Sequence, residues 1–401
     1  MTSSSVKIDE GFKEFLEEFR KGRFDSPLQV PPQIWGSHGW ELIDKRTSDE
    51  ILLHFIKYQI DRAKKTMPEI YKKAYTERSI SAKDIKSIED FWQVPGLIKD
   101  SSVSGVGIRE KVRINPKVML PTDVKTAVHV YKSGGTKGVP TPTFITQLDR
   151  EIESYALGRT FEYQGMKPGN VGLSIYNPTH KGGEMIKEAL TKLNMIYIPR
   201  RTTETAEDVI QTIKDYKVNV LLAVQGPIRE GDPTAKGPGL DLLKLVAAGE
   251  QVLEDNLKIL FLSGYRLIPE AISWSESHNI SLATTLGSCE AIPQATSTNI
   301  GPADRICKHN NLHILNGPHY VEVLKEEDGV FVPTKKDEDG ILAYTTIARE
   351  GTIYIRYLPG DSALKLRGHG ECSCGLKSEI ITDVGRMSMP EEVIETGCCI
   401  G

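Results

Sequence analysis

Between residues 127 and about 300 the chain alternates short β-rich runs with helix-length amphipathic stretches, an order that few folds accommodate. The β-rich runs are Val171–Ile175, Met195–Ile198, Val218–Val224, Leu257–Leu262 and Ser281–Thr285. Stretches with helical spacing of apolar residues fall at roughly 147–164, 182–194, 204–216, 239–248 and 268–279. Strands separated by helices are joined by crossovers, so the sheet is parallel and covered on both faces. The expected class is α/β. In open sheets of this kind ligands sit outside the carboxyl ends of the strands. Four unusual clusters stand at those ends: Tyr176 to His180, Gln225-Gly226-Pro227, Ser263-Gly264-Tyr265 and Leu286 to Glu290.

The flanks differ from this middle. Phe12, Phe15, Leu16 and Phe19 recur at helical spacing, and Ile51 to Lys64 is a second helical pattern, so residues 1–125 read as a mainly helical subdomain. Residues 126–304 form the βα unit. From 305 to 390 short β runs and turns dominate, with strands expected at Leu312–Leu315, Tyr320–Leu324, Ile341–Thr346, Thr352–Tyr357 and Ser362–Leu366. Residues 391–401 make a short tail.

A net charge of −4 supplies no electrostatic case for nucleic acid or an anionic membrane. No apolar run approaches the length of a bilayer span, and the first residues lack the regions of a signal peptide. Six cysteines in 401 residues are too few for a disulfide framework, which leads to the expectation of a reducing, cytoplasmic setting. Cys398-Cys399-Ile400-Gly401 superficially resembles a prenylation box, but glycine in the last place is a poor match.

One loop carries more chemistry than the others. Ser133-Gly134-Gly135-Thr136-Lys137-Gly138-Val139-Pro140 follows a strand-like run from Ala127 to Tyr131. Glycines let backbone N–H groups approach phosphate oxygens, hydroxyls add donors, and lysine adds charge. Gly138 is followed by Val139-Pro140, so this is not the G-x-x-x-x-G-K-[ST] loop. By composition alone it reads equally as a flexible hairpin turn.

Three further segments follow that loop in order: Leu286-Gly287-Ser288-Cys289-Glu290, Tyr357-Leu358-Pro359-Gly360-Asp361 and Gly385-Arg386. Together they resemble the motif series of the adenylate-forming superfamily, with leucine at 286 where tyrosine is usual. Ser87 to Asp100, Tyr344-Thr345-Thr346, Arg356-Tyr357 and Cys372-Ser373-Cys374-Gly375 are most similar to its phenylacetate-CoA ligase branch. The resemblance covers roughly residues 50 to 386. It implies a large N-terminal core with parallel βα subdomains and a smaller β-rich subdomain. Members usually continue well past the Gly-Arg pair as a mobile lid, whereas fifteen residues follow Arg386 here, so the C-terminal mobile domain is expected to be absent.

The resemblance implies ATP-dependent activation of a carboxylic acid, aryl acids preferred, to an acyl adenylate with release of pyrophosphate. The acyl group would pass to a thiol, an amine or a partner enzyme. A lid supplied elsewhere, acyl-protein synthesis through Cys398 or Cys399, and a nucleotide-binding protein without turnover remain alternatives. Ser133, Gly134, Gly135, Thr136, Lys137 and Gly138 would hold the β- and γ-phosphates. Ser263, Gly264 and Tyr265 would line the adenine pocket. Thr285 or Ser288, within Thr285-Leu286-Gly287-Ser288, would reach the α-phosphate. Asp361 would accept the ribose hydroxyls, since an ionised carboxylate only accepts. Arg386 would approach ribose or phosphate, and Glu290 would hold Mg²⁺. Lys137, Glu290 and Arg386 are thus the expected catalytic groups. Tyr176, His180, Gly183, Gln225 and Gly287 would border the acid, although His180 could equally be a satisfied loop histidine. A downstream acyl acceptor and a homodimer are the partners admitted.

A metal site is expected in the β-rich part. Cys307 and His313 are six apart and Cys372 and Cys374 two apart, three sulfurs and an imidazole that suit a closed tetrahedral structural Zn²⁺ site. Similar pairings in relatives support it. The alternative is four unrelated residues, and Cys-x-Cys is tighter than a standard zinc finger spacer.

Overall fold

The computed structural model describes residues 7–99, 105–126, 128–132, 140–200, 204–225, 241–264, 266–299 and 306–386, with only the backbone of Arg386. The phosphate-loop candidates Ser133, Gly134, Gly135, Thr136, Lys137 and Gly138, together with Tyr265, Cys398 and Cys399, lie outside the described residues.

Helices Glu10–Arg20, Lys45–Thr66 and Pro68–Glu77 open the chain. Phe12 and Phe15 are buried against Trp40, and Trp35 stacks on Trp40 with ring centroids 5.0 Å apart. Two small sheets follow. Strands β1 (Gly96–Ile98) and β2 (Gly105–Gly107) run parallel, whereas β3 (Val128–Lys132) and β4 (Pro142–Thr146) form an antiparallel ladder. The glycine-rich segment 133–140 is therefore the connection between two paired strands. Strand β4 runs straight into helix Gln147–Tyr163, whose N-terminus is closed by a reciprocal Thr146–Asp149 capping box.

The alternating middle forms the parallel sheet expected of it. Its strands are β5 (Val171–Ser174), β6 (Ile196–Pro199), β7 (Val220–Val224), β8 (Ile259–Ser263) and β9 (Ser281–Ala283), in the spatial order β6-β5-β7-β8-β9. All four pairings are parallel. Side-chain alternation divides the apolar residues between two cores. Leu221, Ala223, Leu260 and Leu262 face helices Ala206–Tyr216 and Leu242–Asn256, while Val220, Leu222, Ile259 and Phe261 face helices Gln147–Tyr163 and Lys181–Lys192. Nearly continuous apolar runs are what burial of both faces demands. The helix expected to end near 248 extends to Asn256 through a kink at Gly249, where a Cβ would come within 2.6 Å of Ile210.

The remaining strands are β10 (Thr285–Leu286), β11 (Ala295–Thr296), β12 (Leu312–Ile314), β13 (His319–Glu327), β14 (Val330–Pro333), β15 (Asp339–Thr346), β16 (Asp361–Arg367) and β17 (Ile380–Arg386). They form one antiparallel sheet in the order β10-β11-β12-β17-β16-β15-β13-β14. Two short strands from before residue 305 thus join the β-rich part. The strand expected at Thr352–Tyr357 does not form. Arg356 adopts φ 46°, which breaks an extended run, and only Tyr357 makes isolated bridges to Leu97 and Tyr344.

Arg356 explains that departure. Its guanidinium, fully buried, donates to the carbonyls of Trp92, Val94 and Phe331 at 2.7–2.8 Å and pairs with Glu322 at 3.2 Å. One side chain thereby ties the β1 approach to the antiparallel sheet. Burial pushes the Glu322 carboxyl up, and Arg356 opposes that rise. Replacing Arg356 by Met is expected to cost about 3–5 kcal/mol, because an uncompensated acid and three buried carbonyls remain. Equilibrium urea unfolding measures it, and a loss below about 1 kcal/mol would contradict this account.

Candidate functional site

In the parallel sheet the chain enters at β5, crosses to β6 on one side and returns to β7 on the other. The crevice between the ends of β5 and β7 is thus the topological switch point. Tyr176 follows β5, Gln225 follows β7, and Ser263 ends β8. These three meet: the Tyr176 and Ser263 hydroxyls are hydrogen-bonded, and Gln225 N donates to the Ser263 carbonyl at 3.0 Å. Gln225 Nε2 donates to Arg266 O at 2.8 Å, which fixes the amide and leaves the buried Oε1 without a partner among the described residues. Gly264 has φ 89°, a conformation other residues rarely adopt.

His180 caps helix Lys181–Lys192, with Nδ1 accepting from Gly182 N at 3.2 Å. That assigns the proton to Nε2, which faces Cys289 Sγ at 3.4 Å. Gly183 serves packing, since a Cβ there would lie 2.1 Å from Asn177 O. Gly287 is similarly confined, with Ile292 2.6 Å from where a Cβ would be.

The segment carrying Glu290 leaves β10 as a tight turn. Ser288 N donates to Ala291 O at 2.8 Å, and Ser288 Oγ accepts from Gln294 Nε2 at 3.1 Å. Thr285 Oγ1 accepts from Gln164 Nε2 at 2.9 Å, within a buried network. Glu290 itself is 1% exposed, and its Oε2 has no hydrogen-bond partner among the described residues. Burial first, and neighbouring Cys289 second, push its carboxyl up to about 7. Burial, then the Glu290 charge, keep the Tyr344 and Tyr354 hydroxyls protonated well above their ordinary range. A carboxylate with one orphaned oxygen among neutral hydroxyls has the donor chemistry to take a hard cation such as Mg²⁺.

Asp361 and Arg386, 25 residues apart in sequence, are register partners across β16 and β17. The loop after β8 reaches the same strand, because Arg266 Nη2 pairs with Asp383 on β17 at 2.6 Å. The switch-point residues are therefore linked on one side to the Glu290 turn through His180 and Cys289, and on the other to the Asp361–Arg386 pair.

A second cluster lies where β12 pairs with β17. Cys307 and His313 are fully buried, and Cys372 and Cys374 come from the turn between β16 and β17. Cys372 Sγ is 3.6 Å from Cys307 Sγ and 3.2 Å from Cys374 Sγ, and Cys374 Sγ is 3.3 Å from His313 Nε2. Four donors around zinc at about 2.3 Å from sulfur stand roughly 3.7 Å apart, close to this cage. His313 Nδ1 lies 3.0 Å from Ser378 O, so Nδ1–H donates there and Nε2 faces the sulfurs, whose contacts outweigh burial and hold the imidazole up to about 9. Contacts from Cys307, then Cys372, hold the Cys374 thiol far below its usual range, and the same cluster raises Cys307. Three sulfurs and an imidazole within 4.8 Å of one another have the donor chemistry for a tetrahedral Zn²⁺ site.

The sequence reading passed over one group. Glu153, Lys181, His319 and Arg349 are each at most 1% exposed and meet around the Glu153 carboxylate. Charged residues within otherwise apolar stretches, such as Glu153 in Ile152–Leu157 and Arg349 after Ile347-Ala348, were the available signal.

No protein-family model matches the chain, and no curated protein matches it. Among solved structures it is similar to 2-hydroxyisobutyryl-CoA ligase in complex with 2-HIB-AMP and CoA in the thioesterification state. The TM-score is 0.69 with 19% identity, over 87% of this chain and 70% of that one. An open conformation of the same ligase, also with 2-HIB-AMP and CoA, aligns with TM-score 0.68 and 18% identity, over 90% of this chain and 81% of that one. Its postadenylation state with R3-HIB-AMP aligns with TM-score 0.70 and 16% identity, over 89% and 70%. At these identities the likeness establishes a shared fold.

The raised Glu290 has a measurable consequence. A carboxyl whose folded value lies above its unfolded 4.5 stabilises the fold fully below that value and loses the contribution as pH rises through about 7. Such a shift corresponds to about 3 kcal/mol. Glu290→Gln is expected to raise the melting temperature at about pH 8 and to leave it nearly unchanged at about pH 5. A pH-independent difference would contradict the assignment.

Proposed function

We propose that this chain activates a carboxylic acid as an acyl adenylate: the carboxylate attacks the α-phosphate of ATP and pyrophosphate leaves. The observation that carries this reading is the convergence at the switch point of Tyr176, Gln225 and Ser263, linked to the Glu290 turn and to the Asp361–Arg386 strand pair. The fold shared with 2-hydroxyisobutyryl-CoA ligase supports it.

In this reading two anions are positioned and the charge that moves to the leaving group is stabilised. Ser133, Thr136, Lys137 and the amides of Gly134, Gly135 and Gly138 hold the β- and γ-phosphates. Thr285 or Ser288 reaches the α-phosphate. Ser263, Gly264 and Tyr265 border adenine, Asp361 accepts from the ribose hydroxyls, and Arg386 approaches ribose or phosphate. Glu290 holds Mg²⁺, which supplies positive charge between phosphate oxygens. Tyr176, His180 and Gln225 border the acid, with an aryl acid preferred. The acyl group then passes to a thiol, and CoA is the thiol carried by the similar ligase. Cys307, His313, Cys372 and Cys374 hold a structural Zn²⁺ ion that closes the turn between β16 and β17 and so steadies the strand opposite Asp361.

Pyrophosphate release across a panel of aryl, hydroxy and fatty acids, with mass detection of the adenylate, tests the reaction. Lys137→Ala and Glu290→Gln are each expected to lower the rate about 10²–10³-fold. Nucleotide binding without pyrophosphate release from any acid would replace this reading with that of a non-catalytic nucleotide-binding protein.

Zinc is tested separately. Elemental analysis of the purified chain is expected to find about one zinc, lost in Cys372→Ser together with thermal stability. Protein free of metal yet equally stable would remove the site.

A further inference from the structure

Ionisable side chains hold the backbone of residues 289, 290 and 292, on either side of the Ser288–Ala291 bond. Lys181 Nζ donates to Cys289 O at 3.0 Å, and Arg349 Nη2 donates to Glu290 O at 3.0 Å. Ile292 N donates to Glu153 Oε1 at 3.4 Å, and His319 Nε2 lies 3.4 Å from Ile292 O. The same four side chains meet one another. Lys181 Nζ is 2.8–2.9 Å from the Glu153 oxygens, Arg349 Nη2 2.5 Å and His319 Nε2 3.4 Å from Glu153 Oε1.

Neutral donors could satisfy two buried carbonyls, each hydrogen bond contributing about 1 kcal/mol, without the several kcal/mol of desolvation that each buried ion costs. A charged cluster is the more expensive way to hold a loop, and it is also the stiffer one. Its bonds are charge-assisted, its members are interlocked, and the guanidinium plane fixes direction as well as distance. The four groups come from helix Gln147–Tyr163, helix Lys181–Lys192, strand β13 and the turn after β15. The loop between them therefore moves only if several elements move together.

We propose that Lys181, Arg349 and His319, gathered on Glu153, position the Glu290 turn so that its carboxylate is presented in one orientation to a divalent cation. This rests on the adenylation reading for the cation's purpose, but the positioning itself does not need that reading. None of the four touches the reacting atoms in this proposal. They act through Cys289, Glu290 and Ile292.

The test compares the parent chain with Lys181→Met, Lys181→Arg and His319→Leu. Glu41→Gln serves as a control that disturbs a different buried ion pair, the one with Arg159. Native alkylation of Cys289 by iodoacetamide, resolved by peptide mass spectrometry, reads the order of the turn without any turnover. The Mg²⁺ concentration at half-maximal pyrophosphate release reads the presentation of Glu290.

Lys181→Met is expected to raise the alkylation rate and the Mg²⁺ requirement, each about 10–100-fold, while the KM for the acid changes far less. Lys181→Arg should recover most of both effects, and Glu41→Gln should lower the melting temperature and change neither. Parental alkylation and Mg²⁺ dependence in folded Lys181→Met would overturn the proposal. Should Lys181→Met fail to fold, His319→Leu decides the matter, because it removes the bond at Ile292 without stranding a charge. Faster alkylation in that variant supports the proposal and an unchanged rate overturns it. If the parent releases no pyrophosphate with any acid, the adenylation reading fails while the alkylation arm still decides the positioning.

Discussion

The carboxylate of Glu153 is the interaction on which the centre of this molecule depends. Burial alone pushes it up toward the neutral acid, and Arg349, Lys181 and His319 more than reverse that, leaving it well below the usual carboxylate range. Lys181 in turn depends on it, since burial lowers the ammonium and Glu153 is the chief group that opposes the loss. The cluster therefore exists only when the fold has brought all its members together. Its reach is wide. Gln59 and Arg62 of helix Lys45–Thr66 donate to the Arg349 carbonyl at 3.0 and 2.8 Å, and Asp149 accepts from Glu350 N and Gly351 N. Through one arginine the N-terminal helices, the central helix and the Glu290 turn share a single set of bonds.

The parallel sheet supplies the second constraint. Once the chain places β6 and β7 on opposite sides of β5, the loops after β5 and β7 must diverge and leave a crevice. Tyr176 and Gln225 stand at its two lips, and the antiparallel sheet closes the far side through Arg266 and Asp383. Polar groups gather there because helix-forming segments cover both faces of the sheet and leave only its ends open. The cysteine–histidine cage depends on a third constraint, the pairing of β12 with β17. That pairing sets His313 opposite Ile380 and brings a turn from late in the chain against Cys307.

Much of this was legible beforehand. The alternation of Val171–Ile175 through Ser281–Thr285 with helical stretches required a covered parallel sheet, and its strands formed within a few residues of the places expected. The strand expected at 352–357 was misread because Ile353, Tyr354 and Ile355 have β-forming side chains, while the buried bonds of Arg356 demand a left-handed backbone. Val330–Pro333 and Ile380–Arg386 escaped notice for the opposite reason. Each acquires its identity from a partner strand already in place, and Val330–Pro333 is only four residues long. The ionic cluster escaped because its members lie at positions 153, 181, 319 and 349, too far apart for any local pattern to join them.

By itself, then, the sequence determined the class of fold, the strands and helices of the middle, and which segments held unusual chemistry. Periodicity and residue type are local properties and survive inspection one segment at a time. Only the tertiary structure decided that Asp361 faces Arg386, that Cys307, His313, Cys372 and Cys374 share one cage, and that the Glu290 turn hangs from four buried ionisable groups. Those are relations between distant residues. They arise because a buried charge must find its partner wherever the packing of the rest of the chain puts it.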